Sequence, residues 1–494
     1  MLLDEYNENL KDIKKQTIKG LFWSANSKFS VQIFNLIITA ILARVLFPED
    51  FGVVGMALIF ISLISMINET GLSSAIIQKK DLSNQHLYTA FWVNIFTGIF
   101  LFIIAFFTSP LLSDFFRNDN VELIIKVSSI SFLISSIALV NRSLLTRNLE
   151  FKKLAATEIS GSIISGILAV YLALSGFGFW SLVARNLIND FIAILLTLIV
   201  YPWKPAIYFS KDCFMEMFGF GANVIGSSFL GYLRQNMDYI IVGRIMGAEL
   251  LGYYTLAYTL AVYPIMKIAP IITKVIFPVF SRIKDDTIAY KNGYLKLISF
   301  LSILTVPALF GLLSIASEFI IVVYGDKWAA SILPLQILCL LGIISSISPA
   351  SGPVFYSKGV PEIEFKLSLV KLPITALALL IGSLYGIVGI ATSMTIVAFV
   401  YYVITQKIIN SLIKLSWKEY LKAIYIPILS SLTMGLLVIS YKHIIYRLGN
   451  INDITILISS ILVGILIYTI MMYRFNQEIN QKIIRDVKQY KNKK

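Results

Sequence analysis

The sequence predicts an all-α polytopic membrane protein of about 14 transmembrane helices, in two pseudo-symmetric six-helix lobes plus two C-terminal helices. Three observations predict it. Apolar residues come in blocks long enough to cross a bilayer, Lys and Arg alternate between rich and poor connections, and one turn motif recurs near residues 44 and 244. Of the 494 residues, 57% are hydrophobic and 14% are charged. Soluble chains carry about a quarter charged residues, so this chain has too little polar surface to cover a water-soluble core.

The blocks place spans at 18–43, 52–72, 87–108, 122–141, 155–174, 178–200, 217–240, 250–270, 295–315, 332–351, 363–382, 386–406, 420–440 and 453–473. Each matches the ~20 residues that cross a hydrocarbon core of about 30 Å as a helix. A β-barrel is excluded, because the segments lack period-2 alternation and are twice the length of a spanning strand. Residues 1–17 are polar (Asp4, Glu5, Lys11, Lys14) and the first apolar stretch is too long for a signal sequence, so they read as a short surface segment before a permanent span.

Orientation follows from the basic residues. With the N-terminus inside, the cytoplasmic connections hold Lys79, Lys80, Arg142, Arg147, Lys152 and Lys153, and further on Lys274, Arg282, Lys284 and Lys291. The outer side holds few: Arg44, Arg117, Lys126, Arg244, Lys327, Lys442 and Arg447. The tail, 474–494, is strongly basic and reads as a solvated run facing anionic lipid. Both termini are therefore expected in the cytoplasm. The net charge of +14 is assigned to these inner connections and not to nucleic acid.

The recurring motif pairs Ala43-Arg44-Val45-Leu46, Glu49 and Gly52 with Gly243-Arg244-Ile245-Met246, Glu249 and Gly252. Six spans separate the two, so the halves share an orientation, as in parallel repeats about an axis along the membrane normal. The expected plan is an N-lobe at 18–200, a C-lobe at 217–406, and appended spans at 420–473. The first span carries Ser24, Lys28, Gln32, Asn35 and Thr39 on one helical face, and the seventh carries Asn223, Ser227, Gly231, Arg234 and Asp238 at the same spacings. Two matching polar stripes predict two lobes facing a shared wet cavity.

A Lys or Arg at mid-bilayer costs about 2.5–3.5 kcal/mol on insertion scales and marks a functional path. Lys28 lies ten residues into its span, about 15 Å deep at 1.5 Å per residue. Arg234 has two readings: an ion pair with Asp238 one turn on, or a fork for phosphate. Arg185 and Asp190 in the sixth span are further candidates. Glu69 and Asp238 are candidates for ion coupling, and Glu158 reads as an interfacial pairing residue. The serines of the fourth span (Ser128, Ser129, Ser131, Ser135, Ser136) favour close helix packing. Tyr253, Tyr254, Tyr258 and Tyr263 either stack on sugar rings or pack; Pro264 and Pro270 suit a hinge.

Several chemistries have no residues to carry them. There is no Walker-type phosphate loop; energy must come from an ion gradient, the substrate gradient or another subunit. The two cysteines, Cys213 and Cys339, and the two histidines, His86 and His443, form neither a disulfide framework nor a metal-ligand spacing. No cofactor is expected. Glu49-Asp50 reads as a helix-start dipole partner. Outer connections are short, leaving no room for acid/base chemistry of an enzyme.

Several stretches carry a family resemblance: Ser74-Ala75-Ile76-Ile77-Gln78-Lys79 with Phe91-Trp92-Val93-Asn94; Asn148-Leu149-Glu150-Phe151; Arg244-Ile245-Met246-Gly247 through Tyr258, Pro270 and Ile271-Ile272-Thr273 to Phe277-Pro278 and Asp285-Asp286; and Tyr324-Gly325-Asp326-Lys327-Trp328 with Leu335-Gln336. Through them the chain resembles the bacterial polysaccharide flippases of the multidrug/oligosaccharidyl-lipid/polysaccharide exporter superfamily, of the colanic-acid or teichuronic-acid exporter type. The resemblance covers most of spans 1–12, and spans 13–14 match least. It implies two six-helix lobes, a central cationic cavity lined by Lys28, Gln32, Asn35 and Arg234, and alternating access. It also implies export of an undecaprenyl-pyrophosphate-linked repeat unit across the bacterial cytoplasmic membrane, with a polymerase and glycosyltransferases as expected partners. Two alternatives stand beside it: an ion-coupled exporter of drugs or another lipid-linked precursor, and a membrane polymerase or glycosyltransferase.

Overall fold

The computed structural model describes residues 30–70, 72–79, 81–262, 276–348, 351–449 and 451–475, without the side chains of 67–70, 74, 218–230 and 448. Its described secondary structure is helical. Eleven helical segments are long and apolar enough to cross a membrane: Pro48–Met66, Asn84–Phe116, Asp119–Arg147, Phe151–Leu174, Trp180–Val200, Thr287–Ser314, Asp326–Ser357, Pro361–Ser383, Gly386–Leu412, Trp417–Arg447 and Asp453–Phe475. They coincide with expected spans 2–6 and 9–14. The first, seventh and eighth expected spans lie partly outside the described residues. The protein is thus a multi-pass, all-helical membrane protein, and large exposed side chains on its spanning helices, such as Phe107 and Leu462, give them the apolar surface that lipid covers.

The chain forms two compact units, Met1–Gly252 and Tyr253–Lys494. The first unit runs past the expected lobe boundary and takes in the helix expected to open the second lobe. Its helices are α1 (Ser30–Val45), α2 (Pro48–Thr70), α3 (Leu72–Gln78), α4 (Asn84–Phe116), α5 (Asp119–Ser128), α6 (Ile130–Arg147), α7 (Phe151–Leu174), α8 (Trp180–Val200) and α9 (Lys211–Met246), with the first turn of α10 (Ala248–Ala261).

Local chemistry sets these boundaries. Asp50 Oδ2 accepts the Phe47 N–H at 2.9 Å, so the acidic pair at the start of α2 serves the helix end, as expected. Arg117 ends α4 in the left-handed region at φ 56. Arg147 Nη1 donates to the carbonyls of Ile76 (2.7 Å), Ile77 (3.2 Å) and Lys79 (2.6 Å), closing the C-terminus of α3 with a cation. The expected fourth span is interrupted at Ser129, which separates α5 from α6. Its serines pack: Ser129 is fully buried and bonds the Lys126 carbonyl at 2.7 Å. A Cβ on Gly98 of α4 would lie 2.7 Å from the Phe132 carbonyl oxygen, so α4 and α6 touch nearly backbone to backbone.

The recurring turn segments meet each other. A Cβ on Gly52 would lie 1.7 Å from the Ala248 carbonyl oxygen, and one on Gly252 would lie 1.9 Å from that of Pro48. Position 48 corresponds to 248 and 52 to 252, so the contact is reciprocal, the form an isologous two-fold contact takes. Only glycine lets α2 and the start of α10 cross this closely.

In the second unit, α11 (Thr287–Ser314), α12 (Ala316–Tyr324), α13 (Ile332–Ile347), α14 (Ser351–Ser357), α15 (Pro361–Ser383), α16 (Gly386–Leu412), α17 (Trp417–Leu448) and α18 (Asp453–Phe475) follow in order. Helix α11 packs on α13 and α17, and α18 on α17. Caps are formed by Asp286, whose Oδ1 accepts from Ala289 N at 2.9 Å, and by a Ser416–Glu419 capping box. Spans 13 and 14 are tied in: Glu318 Oε2 receives Lys442 Nζ at 2.7 Å, Glu318 Oε1 receives the Tyr446 hydroxyl at 3.1 Å, and the Tyr468 hydroxyl donates to the Ile303 carbonyl at 2.9 Å.

Candidate functional site

Asn35 and Thr39, of the polar stripe on the first span, face the interior of the first unit. On α1, Ile33, Ile37 and Ile41 are exposed. On another face of α1, Phe34 and Ile38 pack into Gly166 of α7, where a Cβ would come within 2.8 Å of the Phe34 ring. That contact sets Asn35 against α7 and α8. The Ser162 hydroxyl on α7 donates to Asn35 Oδ1 at 3.1 Å, and Arg185 on α8 donates from Nη2 to the same oxygen at 2.8 Å. Arg185 Nη1 reaches the Thr39 hydroxyl at 3.4 Å. Asn35 and Thr39 stand one turn apart, so a single helix face presents two neutral oxygens to one guanidinium.

These bonds hold the Arg185 head without cancelling its charge, since both acceptors are uncharged. A cation kept in this way within the bilayer span is costly unless a negative group visits it. Asn189, one turn on from Arg185, donates Nδ2 to Asp190 Oδ1 at 3.5 Å, and its carbonyl lies beside Gly161 of α7, close-packing the two helices.

Of the predicted site residues, the structure brings Asn35 and Arg185 together. Gln32 is half-buried one turn before, on α1. Ser24 and Lys28 lie outside the described residues, as do the side chains of Asn223, Ser227 and Glu69. Arg234 is half-buried and Asp238 fully buried on α9, in the same compact unit as Asn35. Helix α9 is tied to α2 by the Tyr232 hydroxyl, which donates to the Ile59 carbonyl at 2.6 Å. Glu158 pairs with Arg142 Nη2 at 3.0 Å, the interfacial pairing expected of it.

Ser162 was not expected at the site. The available signal was its position one turn after Glu158, on the face that α7 turns toward α8. Thr39 belonged to the stripe but carried no role. The eighth-span tyrosines pack: Tyr254 is fully buried and Tyr258 nearly so, with ring centroids 6.0 Å apart, and Tyr253 meets Trp328 edge-on at 6.1 Å. Tyr263, Pro264 and Pro270 lie outside the described residues. Among the described residues, no group of His, Cys, Asp or Glu is placed to hold a metal ion.

At the entry to α9, Glu216 bonds both Lys79 and His86, the latter at 3.3 Å. The Lys79 ammonium first, then His86, holds the Glu216 carboxyl below the usual carboxylate range. The pair fastens the connection between α3 and α4 to the start of α9.

A family model described as polysaccharide biosynthesis protein matches residues 41–333, more than half of the chain. The chain belongs to the polysaccharide biosynthesis protein family. Among curated relatives, it is 29% identical over 441 residues to the lipopolysaccharide biosynthesis protein WzxC of Escherichia coli K12, covering 87% of this chain and 88% of that one. It is 28% identical over 479 residues to the teichuronic acid biosynthesis protein TuaB of Bacillus subtilis 168, covering 96% and 99%. Among solved structures, the lipid II flippase MurJ in an inward closed conformation superposes with a TM-score of 0.74 at 16% identity, covering 92% of this chain and 99% of that one. An inward-facing multidrug transporter of the MATE family follows at a TM-score of 0.58, covering 78% and 96%. The fold of this family member is therefore that of the flippase and multidrug transporters.

Proposed function

We propose that this family member is a transporter that flips an undecaprenyl-pyrophosphate-linked oligosaccharide repeat unit across the bacterial cytoplasmic membrane, for surface polysaccharide biosynthesis. The observation that carries the proposal is Arg185, a guanidinium within the helix bundle held by the neutral oxygens of Asn35 and Thr39. Its charge is left for an anion, and its planar fork suits phosphate oxygens. The WzxC and TuaB names, and the fold shared with a lipid II flippase, support the same class of cargo.

The step is reorientation, with no covalent bond made or broken. The N-lobe (18–200) and C-lobe (217–406) rock about a cavity to which Ser24, Lys28, Gln32, Asn35, Arg185, Asn223, Ser227 and Arg234 contribute, while the lipid tail stays in the bilayer. Asp238 and Glu69 are the groups proposed to couple an ion. Both termini face the cytoplasm, and a polymerase and glycosyltransferases act on either side of the step. A cationic drug as cargo is disfavoured, because it would meet Arg185, Lys28 and Arg234.

The test is accumulation of lipid-linked repeat units on the cytoplasmic face when the protein is deleted, and its relief by the wild-type gene. Arg185→Gln inserts normally and lowers export by about 100-fold or more, equivalent to about 2.8 kcal/mol for a lost charge-assisted phosphate contact. Wild-type export from Arg185→Gln, or from the Lys28→Ala/Arg234→Ala pair, overturns the corresponding role. Absence of accumulation on deletion overturns the function itself.

A further inference from the structure

A cavity of about 180 Å³ lies in the first unit between α3, α6, α7 and α8. Its polar lining is Ser73, Ser135, Thr157 and Thr197 together with the Arg142–Glu158 pair; the rest of the wall is apolar, with Ala193 on the α8 side. No role falls to this cavity in the phosphate site described above.

Its chemistry is selective. Three hydroxyls donate their protons to their own helices: Ser135 to the Phe132 carbonyl (3.3 Å), Thr157 to Leu154 (2.9 Å) and Thr197 to Ala193 (2.7 Å). What Thr157 and Thr197 offer a ligand is oxygen lone pairs. Ser73 and Ser143 share one proton at 2.8 Å. The Arg142–Glu158 pair, at 3.0 Å, is neutral as a whole. An anion drawn to Arg142 is repelled by Glu158 and a cation by Arg142, so neither gains net Coulomb energy. A neutral molecule bearing several hydroxyl groups meets acceptors on several sides, donors from Arg142, and an apolar wall for its C–H faces. At about 30 Å³ per water, the 180 Å³ volume equals roughly six waters, the room one sugar ring needs.

The cavity shares two helices with the Arg185 cluster. Glu158 is one turn from Ser162 on α7, and Ala193 is eight residues past Arg185 on α8, about 12 Å at 1.5 Å per residue. It lies at the end of α6 and α7 that carries Arg147, Lys152 and Lys153, the end expected to face the cytoplasm, where cargo is loaded. Resting on the lipid-linked cargo proposed above, we infer that this cavity is a subsite for a neutral sugar ring of the headgroup, while Arg185 takes the phosphate.

The test uses the full-length protein in lipid nanodiscs with Ser73→Cys as reporter; the native Cys213 and Cys339 are buried, and their background is read from the parent protein. Alkylation by N-ethylmaleimide is followed with undecaprenyl pyrophosphate bearing one neutral sugar, or with undecaprenyl pyrophosphate alone. Binding of each lipid is measured separately in the same nanodiscs. At about four times its Kd, the sugar-bearing lipid slows alkylation about fivefold, and the bare lipid does not. Ala193→Phe, which fills the cavity, removes that protection while binding of the bare lipid persists. Equal protection by both lipids would mean the cavity takes phosphate or lipid, and overturns the subsite. Binding of both lipids with protection by neither overturns the subsite but leaves the cargo standing. Binding of neither overturns both.

Discussion

At the scale of single residues, the informative groups are charges that the bilayer would otherwise reject. Glu318 and Lys442 are 4% and 12% exposed and satisfy each other, with Tyr446 on the second carboxylate oxygen. Removing one partner leaves a buried charge alone, which costs about 3–5 kcal/mol. Lys442→Met is therefore expected to lower the thermal unfolding temperature in detergent sharply, and Glu318→Gln combined with Lys442→Met to recover much of the loss. A double variant as unstable as the single one would show that the pair itself contributes the stability. Arg185 is the opposite case, a cation whose partners are neutral, and for that reason it is assigned to cargo. Sequence alone marked Arg185 as a spanning-region charge, placed Lys442 in an outer connection and gave Glu318 no role. It had no means to tell the paired from the unpaired, because Glu318 and Lys442 are 124 positions apart.

At the scale of elements, the reciprocal crossing of α2 and α10 rests on two glycines. Any Cβ at position 52 would overlap the Ala248 carbonyl oxygen at 1.7 Å, and that oxygen is backbone with nowhere to swing. Gly52→Ala and Gly252→Ala are each expected to cost 1–3 kcal/mol or more, about the range of overpacking. Gly231→Ala, where nothing lies within 4 Å, is expected to stabilise α9 by up to about 1 kcal/mol. Thermal unfolding of the three variants orders them, and a neutral Gly52→Ala would remove the crossing from the account. The tie between Glu216 and Lys79 with His86 has a defined pH response. Its carboxyl titrates lower folded than free, so the contact is fully present above the ordinary carboxylate value and is lost as pH falls through the depressed one. Spin labels at positions 81 and 212 should report a wider distance distribution over that acid range, and Glu216→Gln should give the wide distribution at every pH.

The recurring turn was legible from the order of Arg44, Glu49 and Gly52 against Arg244, Glu249 and Gly252. That the two copies touch was not legible, since periodicity reports similarity and not proximity. The tyrosines of α10 were equally ambiguous in sequence. Burial of Tyr254 and Tyr258 decided for packing.

At the scale of the whole molecule, the chain has many spans and no nucleotide-binding loop. Flipping by the purified protein in vesicles is therefore expected to proceed at the same rate with and without ATP, read as the fraction of lipid-linked headgroup exposed outside. A rate that requires ATP would overturn the reading that this chain carries no nucleotide site. The Arg185 cluster, proposed above to take phosphate, lies inside one compact unit, built from α1, α7 and α8. The stripes on the first and seventh spans were expected to face a shared wet cavity; among the described residues, Asn35 of the first meets the fifth and sixth spans, through Ser162 and Arg185.

The sequence by itself determined that the chain is a helical membrane protein, where most of its spans lie, and which residues bring charge into the bilayer. These properties are set by local hydropathy and helical period, which neighbouring residues along the chain decide. Only the tertiary structure decided which charges are neutralised, which glycines bear backbone against backbone, and that Asn35, Thr39, Ser162 and Arg185 converge. Those outcomes depend on contacts between residues as far apart in sequence as Pro48 and Gly252, fixed by how helices pack, and helix packing is not written in any one helix.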